Sequence, residues 1–202
     1  GSQYNMPVDG IRISENADVT AIGANGAAGI GSGANADAAN IEIAGGIVNA
    51  TAGSGTIGSK NIGGAGIGSG ATDTVSEATN INISNTGFIS IRARGNGAGI
   101  GAGLNSETRD INIIGEVVET KGKLIVIAAN GPAIGAYAGD VKNVNVLTDA
   151  TVNLSAENGI AVGALNGSSA SDITIIGDNI CGAKAEDVPV LGTVSNSVLF
   201  VG

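Results

Sequence analysis

Gly64-Ala-Gly-Ile-Gly-Ser-Gly70 decides the fold, because the chain says it again and again. Gly26-Ala-Ala-Gly-Ile-Gly-Ser-Gly33 precedes it and Gly97-Ala-Gly-Ile-Gly-Ala-Gly103 follows it. Weaker copies stand at Gly131-Pro-Ala-Ile-Gly135 and Gly159-Ile-Ala-Val-Gly163. Their central residues Ile30, Ile67, Ile100, Ile134 and Val162 are 37, 33, 34 and 28 positions apart. A unit of about 30 residues repeated in this way specifies a solenoid, in which each turn packs on its neighbours.

Outward from each phrase lie two further elements. One is a short alternating strand: Ile11-Arg-Ile13, Ile41-Glu-Ile43, Ile81-Asn-Ile83, Ile111-Asn-Ile113, Val144-Asn-Val146 and Ile173-Thr-Ile175. Two β-branched residues around a polar one give an apolar face and a wet face. Asn40, Asn80, Asp110, Asn143 and Asp172 stand immediately before five of these strands. Asn and Asp tolerate left-handed backbone, so they mark a shared corner at which side chains stack into a ladder. The second element reads Val19-Thr-Ala-Ile22, Ile47-Val-Asn-Ala50, Phe88-Ile-Ser-Ile91, Leu124-Ile-Val-Ile127 and Val152-Asn-Leu154. Asn-Gly closes four of its copies, at 25–26, 96–97, 130–131 and 158–159, as at a corner needing positive φ.

Three strands and three corners per unit predict an all-β, right-handed parallel β-helix of about six coils, with three short strands per coil; the hand follows the rule for parallel crossovers. At about 4.8 Å per rung the array is roughly 30 Å long. Hairpin barrels need longer, evenly spaced strands, and helices are excluded by the dominance of Gly and β-branched residues. The insertion Gly53–Gly63 is expected to bulge from the second corner of the second coil. Residues 1–8, opening on Gly-Ser, read as a tag remnant and lead-in; residues 9–202 read as one domain. The apolar segment 188–202 has no charged cap, so the array is expected to continue into flanking domains or to associate end to end.

Gly is 35 of 202 residues, but prolines number only 3 and no Gly-X-Y period exists, so the chain is not collagen-like. A net charge of −9 argues against nucleic acid or an anionic membrane as partner. No run of apolar residues is long enough to insert in a membrane as a helix. The single cysteine, Cys181, forms no internal disulfide and reads as a buried structural thiol in a Gly-rich apolar stretch.

These Ala-Gly-Ile-Gly units, each followed by an Asn-Ile-x-Ile-type strand, resemble Gly-rich repeats of large bacterial cell-surface proteins in the pectin-lyase-like, parallel β-helix class. The resemblance covers about residues 9 to 192. It implies an extracellular or cell-surface location, and one of several functions: adhesin stalk, carbohydrate-binding module, or polysaccharide lyase or hydrolase.

Chemistry is expected in the variable loops between third and first strands. Asp73, Glu77, Glu107 and Asp110 fall in or beside this loop on successive coils, and stacked carboxylates could supply oxygen ligands to calcium. The same acids could equally form a solvated edge that keeps a Gly-rich rod soluble. No other cofactor is suggested. With no histidine in the chain, the commonest general base is missing, and the function expected is non-catalytic. A polysaccharide-active enzyme would have to draw on Asp73, Glu77, Arg92, Arg94 and Glu107. Arg92 and Arg94, two apart on one outer face, could hold an anionic sugar, and Tyr137 could stack against one. Asn82 and Asn112 belong to a flat polar face that could take an extended extracellular polysaccharide or host glycan. A pure structural spacer is the third reading.

Overall fold

The computed structural model describes residues 5–57, 60–84, 87–115, 122–148, 150–177, 180–182, 194–195 and 198–199. It is a parallel β-solenoid of about five turns with three strands per turn and no helix among the described residues. The first side stacks Val8–Ile13, Ala38–Ile43, Ser76–Ser84, Ser106–Gly115, Val141–Thr148 and Ala170–Ile176, followed by the short Val194–Ser195 and Val198–Leu199. The second side stacks Asp18–Ile22, Ile47–Thr51, Phe88–Arg92, Lys123–Ala128, Thr151–Ala156 and Ile180–Gly182. Five two- or three-residue strands make the third: Ile30–Gly31, Ile67–Gly68, Ile100–Gly101, Ile134–Ala136 and Val162–Ala164. The expected sixth coil is therefore present by its first two sides only, since its third would fall outside the described residues. The segment 188–202, apart from its two short strands, and the Cys181 side chain also lie outside them.

Register puts like on like. Ile41, Ile81, Ile111 and Val144 form one inward column, and Ile43, Ile83, Ile113 and Val146 a second. Nearly all are fully buried and belong to one continuous core. Each such side chain contributes about 1.5–3 kcal/mol on leaving water. On the second side the column begins small, with Ala21 and Ala50, and then widens to Ile91, Val126 and Leu154. Room for that widening comes from across the core: a Cβ on Gly66 would collide with Ile91, and one on Gly99 with Val126.

The repeated phrase folds as an arch, not as a straight strand. Ala28, Ala65 and Ala98 donate their N–H groups to the carbonyls of Ser32 (3.0 Å), Ser69 (2.9 Å) and Ala102 (3.0 Å) within the same phrase. Ile30, Ile67 and Ile100 form the apex and reach into the core. Successive arches bond through Ile30 N–H to Gly66 O (3.0 Å), Ile67 N–H to Gly99 O (2.9 Å) and Ile100 N–H to Ala133 O (2.8 Å). The glycine after the apex sits at φ 136° (Gly31), 132° (Gly68), 124° (Gly101), 134° (Gly135) and 131° (Gly163). A Cβ at Gly31, Gly68, Gly101 or Gly135 would overlap the carbonyl oxygen of the corresponding glycine in the next coil. Only glycine satisfies both conditions at once.

Small polar residues complete the arches from inside. Buried Ser32 Oγ donates to Ala36 O (2.6 Å) and accepts from Gly70 N–H (3.0 Å) of the next coil. Buried Thr108 donates to Gly135 O at 2.8 Å, and Ser76 and Ser106 share a hydrogen bond at 2.7 Å. Each buried hydroxyl is thereby paired, where leaving it without a partner would cost about 1–3 kcal/mol.

The insertion at 53–63 bulges as expected and has a regular form: Ser54–Ile57 pairs antiparallel with Lys60–Gly63. Ile62 turns back and packs with Ala71, Leu104 and Tyr137 in a small apolar cluster apart from the main core.

The glycine column yields a direct test. Gly68→Ala combines backbone strain of about 1–3 kcal/mol with overpacking against backbone of about 1–3 kcal/mol. Urea unfolding should show a loss of about 3 kcal/mol or more. A loss below about 1 kcal/mol would mean that the arches are not stacked in this register.

Candidate functional site

Asparagine and aspartate place the polar side chains of the first side. Asn40, Asn80, Asp110, Asn143 and Asp172 all sit at one corner with φ between 53° and 56°, as their spacing suggests, and Gly10 takes the equivalent place in the first coil at φ 85°. Left-handed backbone there turns the side chains along the stack. Asn40 Nδ2 donates to Asp9 Oδ1 (2.5 Å), Asn80 Nδ2 to Asn40 Oδ1 (2.5 Å) and Asn143 Nδ2 to Asp110 Oδ1 (2.6 Å). Every donor lies in the later coil and every acceptor in the earlier one. Aspartate has no N–H to give, so it can accept from the coil above and cannot reach the coil below. Asp110 therefore separates one run of the ladder from the next.

A second ladder runs beside the first. Asn112 Nδ2 donates to Asn82 Oδ1 and Asn145 Nδ2 to Asn112 Oδ1, both at 3.0 Å. The two ladders are tied by Asn82 to Asn80 (2.8 Å) and Asn145 to Asn143 (3.1 Å). A third ladder follows the second corner, where Asn130 donates to Asn96 and Asn158 to Asn130, both at 3.1 Å. Asn82 and Asn112, the polar-face candidates, thus have amides already bonded between coils.

The acidic edge is similarly committed to neighbouring coils. Asp37 Oδ1 accepts from the backbone N–H of Glu77 at 2.9 Å, and Asn35 Oδ1 from that of Asp73 at 3.0 Å. Asp140 Oδ1 accepts from Ser169 N–H at 2.9 Å. The Ser169 backbone bond, then its hydroxyl, hold the Asp140 carboxyl below the usual carboxylate range, with Arg109 adding a smaller pull. Arg109 bridges two coils, pairing with Glu77 at 3.4 Å and hydrogen-bonding Glu107. That hydrogen bond, and the attraction of Glu77, raise its guanidinium further above its ordinary value.

Asp73, Glu77, Glu107 and Asp110 are consequently not brought to one point. Glu77 and Glu107 share Arg109, Asp110 stands in the corner ladder, and Asp73 projects from the exposed stretch 73–75. No three acidic, histidine or cysteine side chains converge on a metal-sized space among the described residues.

Arg92 and Arg94 do share the outer face of the second side, on either side of buried Ala93, and both are exposed. Neither forms an ion pair with a described residue. Tyr137 is half-buried against the outer cluster with Ile62, Ala71 and Leu104, so its ring fills space behind the third side. A groove of about 430 Å³ lies between the hairpin and the second corner, lined by Ser54, Gly55, Thr56, Ile62, Gly95 and Asn130. Arg94 precedes Gly95 of its floor in the chain. Sequence reasoning missed this groove, because the hairpin that forms one wall reads only as an insertion.

No described helix is long and apolar enough to cross a membrane. Comparison with protein families, curated proteins and solved structures gave no match, so the fold and these side chains are what bear on function.

The ladder polarity makes its own prediction. Asp110→Asn supplies the missing donor toward Asn80 and should join the two runs, raising stability by about 0.5–1.5 kcal/mol. A lowered urea midpoint in this variant would contradict the stated direction of the ladder.

Proposed function

We propose that the chain is a non-catalytic module of a secreted or cell-surface protein, an adhesin-type scaffold of the kind its Gly-rich repeats resemble in bacterial surface proteins of the pectin-lyase-like class. One observation carries this reading: apart from the exposed Asp73, the edge side chains able to do acid–base or metal chemistry are tied up in joining coils. Arg109 neutralises Glu77 and Glu107, while Asp37 and Asp140 accept backbone N–H groups. General acid–base catalysis needs a group free to exchange protons with a substrate. The described groove offers two hydroxyls, an amide and no carboxylate.

A second reading, carbohydrate binding, is favoured by the same groove together with exposed Arg94, which precedes Gly95 of its floor and forms no ion pair with a described residue. Hydroxyl, amide and guanidinium groups are suited to hydrogen-bonding a sugar, although no aromatic ring lines the groove. End-to-end association suits the scaffold, whose first-coil strands each have one neighbour in their sheets among the described residues.

Glycan-array screening followed by calorimetry distinguishes these readings. A scaffold gives no saturable heat with extracellular polysaccharides. Saturable binding that falls several-fold in Thr56→Ala and Arg94→Ala variants would establish the groove as a sugar site. Release of new reducing or unsaturated ends from a polysaccharide would overturn the non-catalytic proposal.

A further inference from the structure

The chain contains five Asn-Gly pairs, at 25–26, 96–97, 130–131, 158–159 and 166–167. In this dipeptide the side-chain amide is open to attack by the following backbone nitrogen, since glycine places no Cβ in the way. The fold puts the five copies in different surroundings.

Asn96, Asn130 and Asn158 are linked to one another in the second-corner ladder. The glycines that follow are stacked as well, for a Cβ on Gly131 would strike Gly97 and one on Gly159 would strike Gly131. Swinging any of these amides toward its own backbone breaks ladder bonds. Asn25 is exposed, but Gly26 is buried against Ile62 and its carbonyl accepts from Ala71 N–H at 2.7 Å. Asn166 differs on each count. Its amide makes no hydrogen bond among the described residues, and it is exposed together with Gly167. An added Cβ at Gly167 would meet nothing within 4 Å. The turn is closed by a single long bond, Ser168 N–H to Leu165 O at 3.3 Å, with φ of 56° and 81° at its centre. Exposed turns with few contacts open most readily.

We propose that Asn166-Gly167 is a site of spontaneous self-modification by deamidation. The Gly167 amide nitrogen, having lost its proton to hydroxide, attacks Asn166 Cγ. A nitrogen–Cγ bond forms, the Cγ–Nδ2 bond breaks, and the nitrogen leaves as ammonia after taking a proton. Water then opens the cyclic imide at either carbonyl and leaves aspartate or isoaspartate; no oxidant or reductant takes part. Either product adds a negative charge. The isoaspartate also lengthens the main chain of the turn, close to Ser169, whose N–H caps Asp140 at 2.9 Å. The modification thus loosens a brace between the fifth and sixth coils.

The test incubates the folded full chain at neutral to mildly alkaline pH and follows all five sites by peptide mass spectrometry, with isoaspartate-specific fragmentation. A denatured sample supplies the reference in which local structure is removed. In the folded chain Asn166 should convert several-fold faster than Asn96, Asn130 or Asn158, at a rate rising with hydroxide. In denaturant the five should converge. Gly167→Ala should slow conversion at 166 and leave the ladder sites unchanged. Conversion of any ladder asparagine as fast as Asn166 in the folded chain, or no conversion at Asn166, would overturn the proposal.

Discussion

The close approach of glycine to glycine on the third side is the constraint on which the rest of the structure depends. Gly31, Gly68, Gly101, Gly135 and Gly163 share a backbone conformation that disfavours L side chains, and a Cβ on any of the first four would enter the carbonyl of the coil above. With this spacing set, the arch can push one isoleucine per coil into the core. Across from it, Gly66 and Gly99 leave room for Ile91 and Val126. Closure of the core is thus achieved by a wall that carries one large side chain per coil among glycines, facing stacked Ile, Val, Leu and Ala on the other two.

Polar groups obey the same periodicity. Where a column of the stack repeats an amide, each copy both donates and accepts, and the bond is propagated from coil to coil. Asparagine does so at two neighbouring columns on the first side and again at the second corner. Aspartate ends such a run, as Asp9 does at the first coil and Asp110 does midway. The net charge of −9 is therefore not spread evenly over the surface: part of it terminates ladders, part caps backbone N–H groups, and part faces Arg109. A module built in this way has its polar chemistry turned along its own axis, which suits a scaffold.

The repeat itself made much of this fold legible. Alternating triplets such as Ile41-Glu-Ile43 show which residues face inward, Asx before five of the six triplets marks the left-handed corner, and the Gly53–Gly63 insertion falls at the corner where its hairpin stands. Other features depend on register between distant residues and left no local signal. Nothing in Gly-Ala-Gly-Ile-Gly-Ser-Gly distinguishes an arch from a short strand; the difference lies in a bond from Ala65 N–H to Ser69 O. Glu77 and Glu107 looked like potential metal ligands because sequence spacing aligned them, and the same alignment places Arg109 between them. Where Tyr137 packs has no local signal either, because its partners, Ile62 and Leu104, come from an insertion and a neighbouring coil.

Hydrogen exchange under native conditions tests the central claim most directly. Ile67, Ile100 and Ile134 donate their N–H groups to Gly99, Ala133 and Ala161 in the next coil, on strands only two or three residues long. If the glycine column holds the coils together, these amides open only with the whole stack, and their protection equals that of Ile81 and Ile111 on the long first side. Rapid exchange at all three, while the first side stays protected, would show that the third side is a loose closure and that the fold rests on the other two.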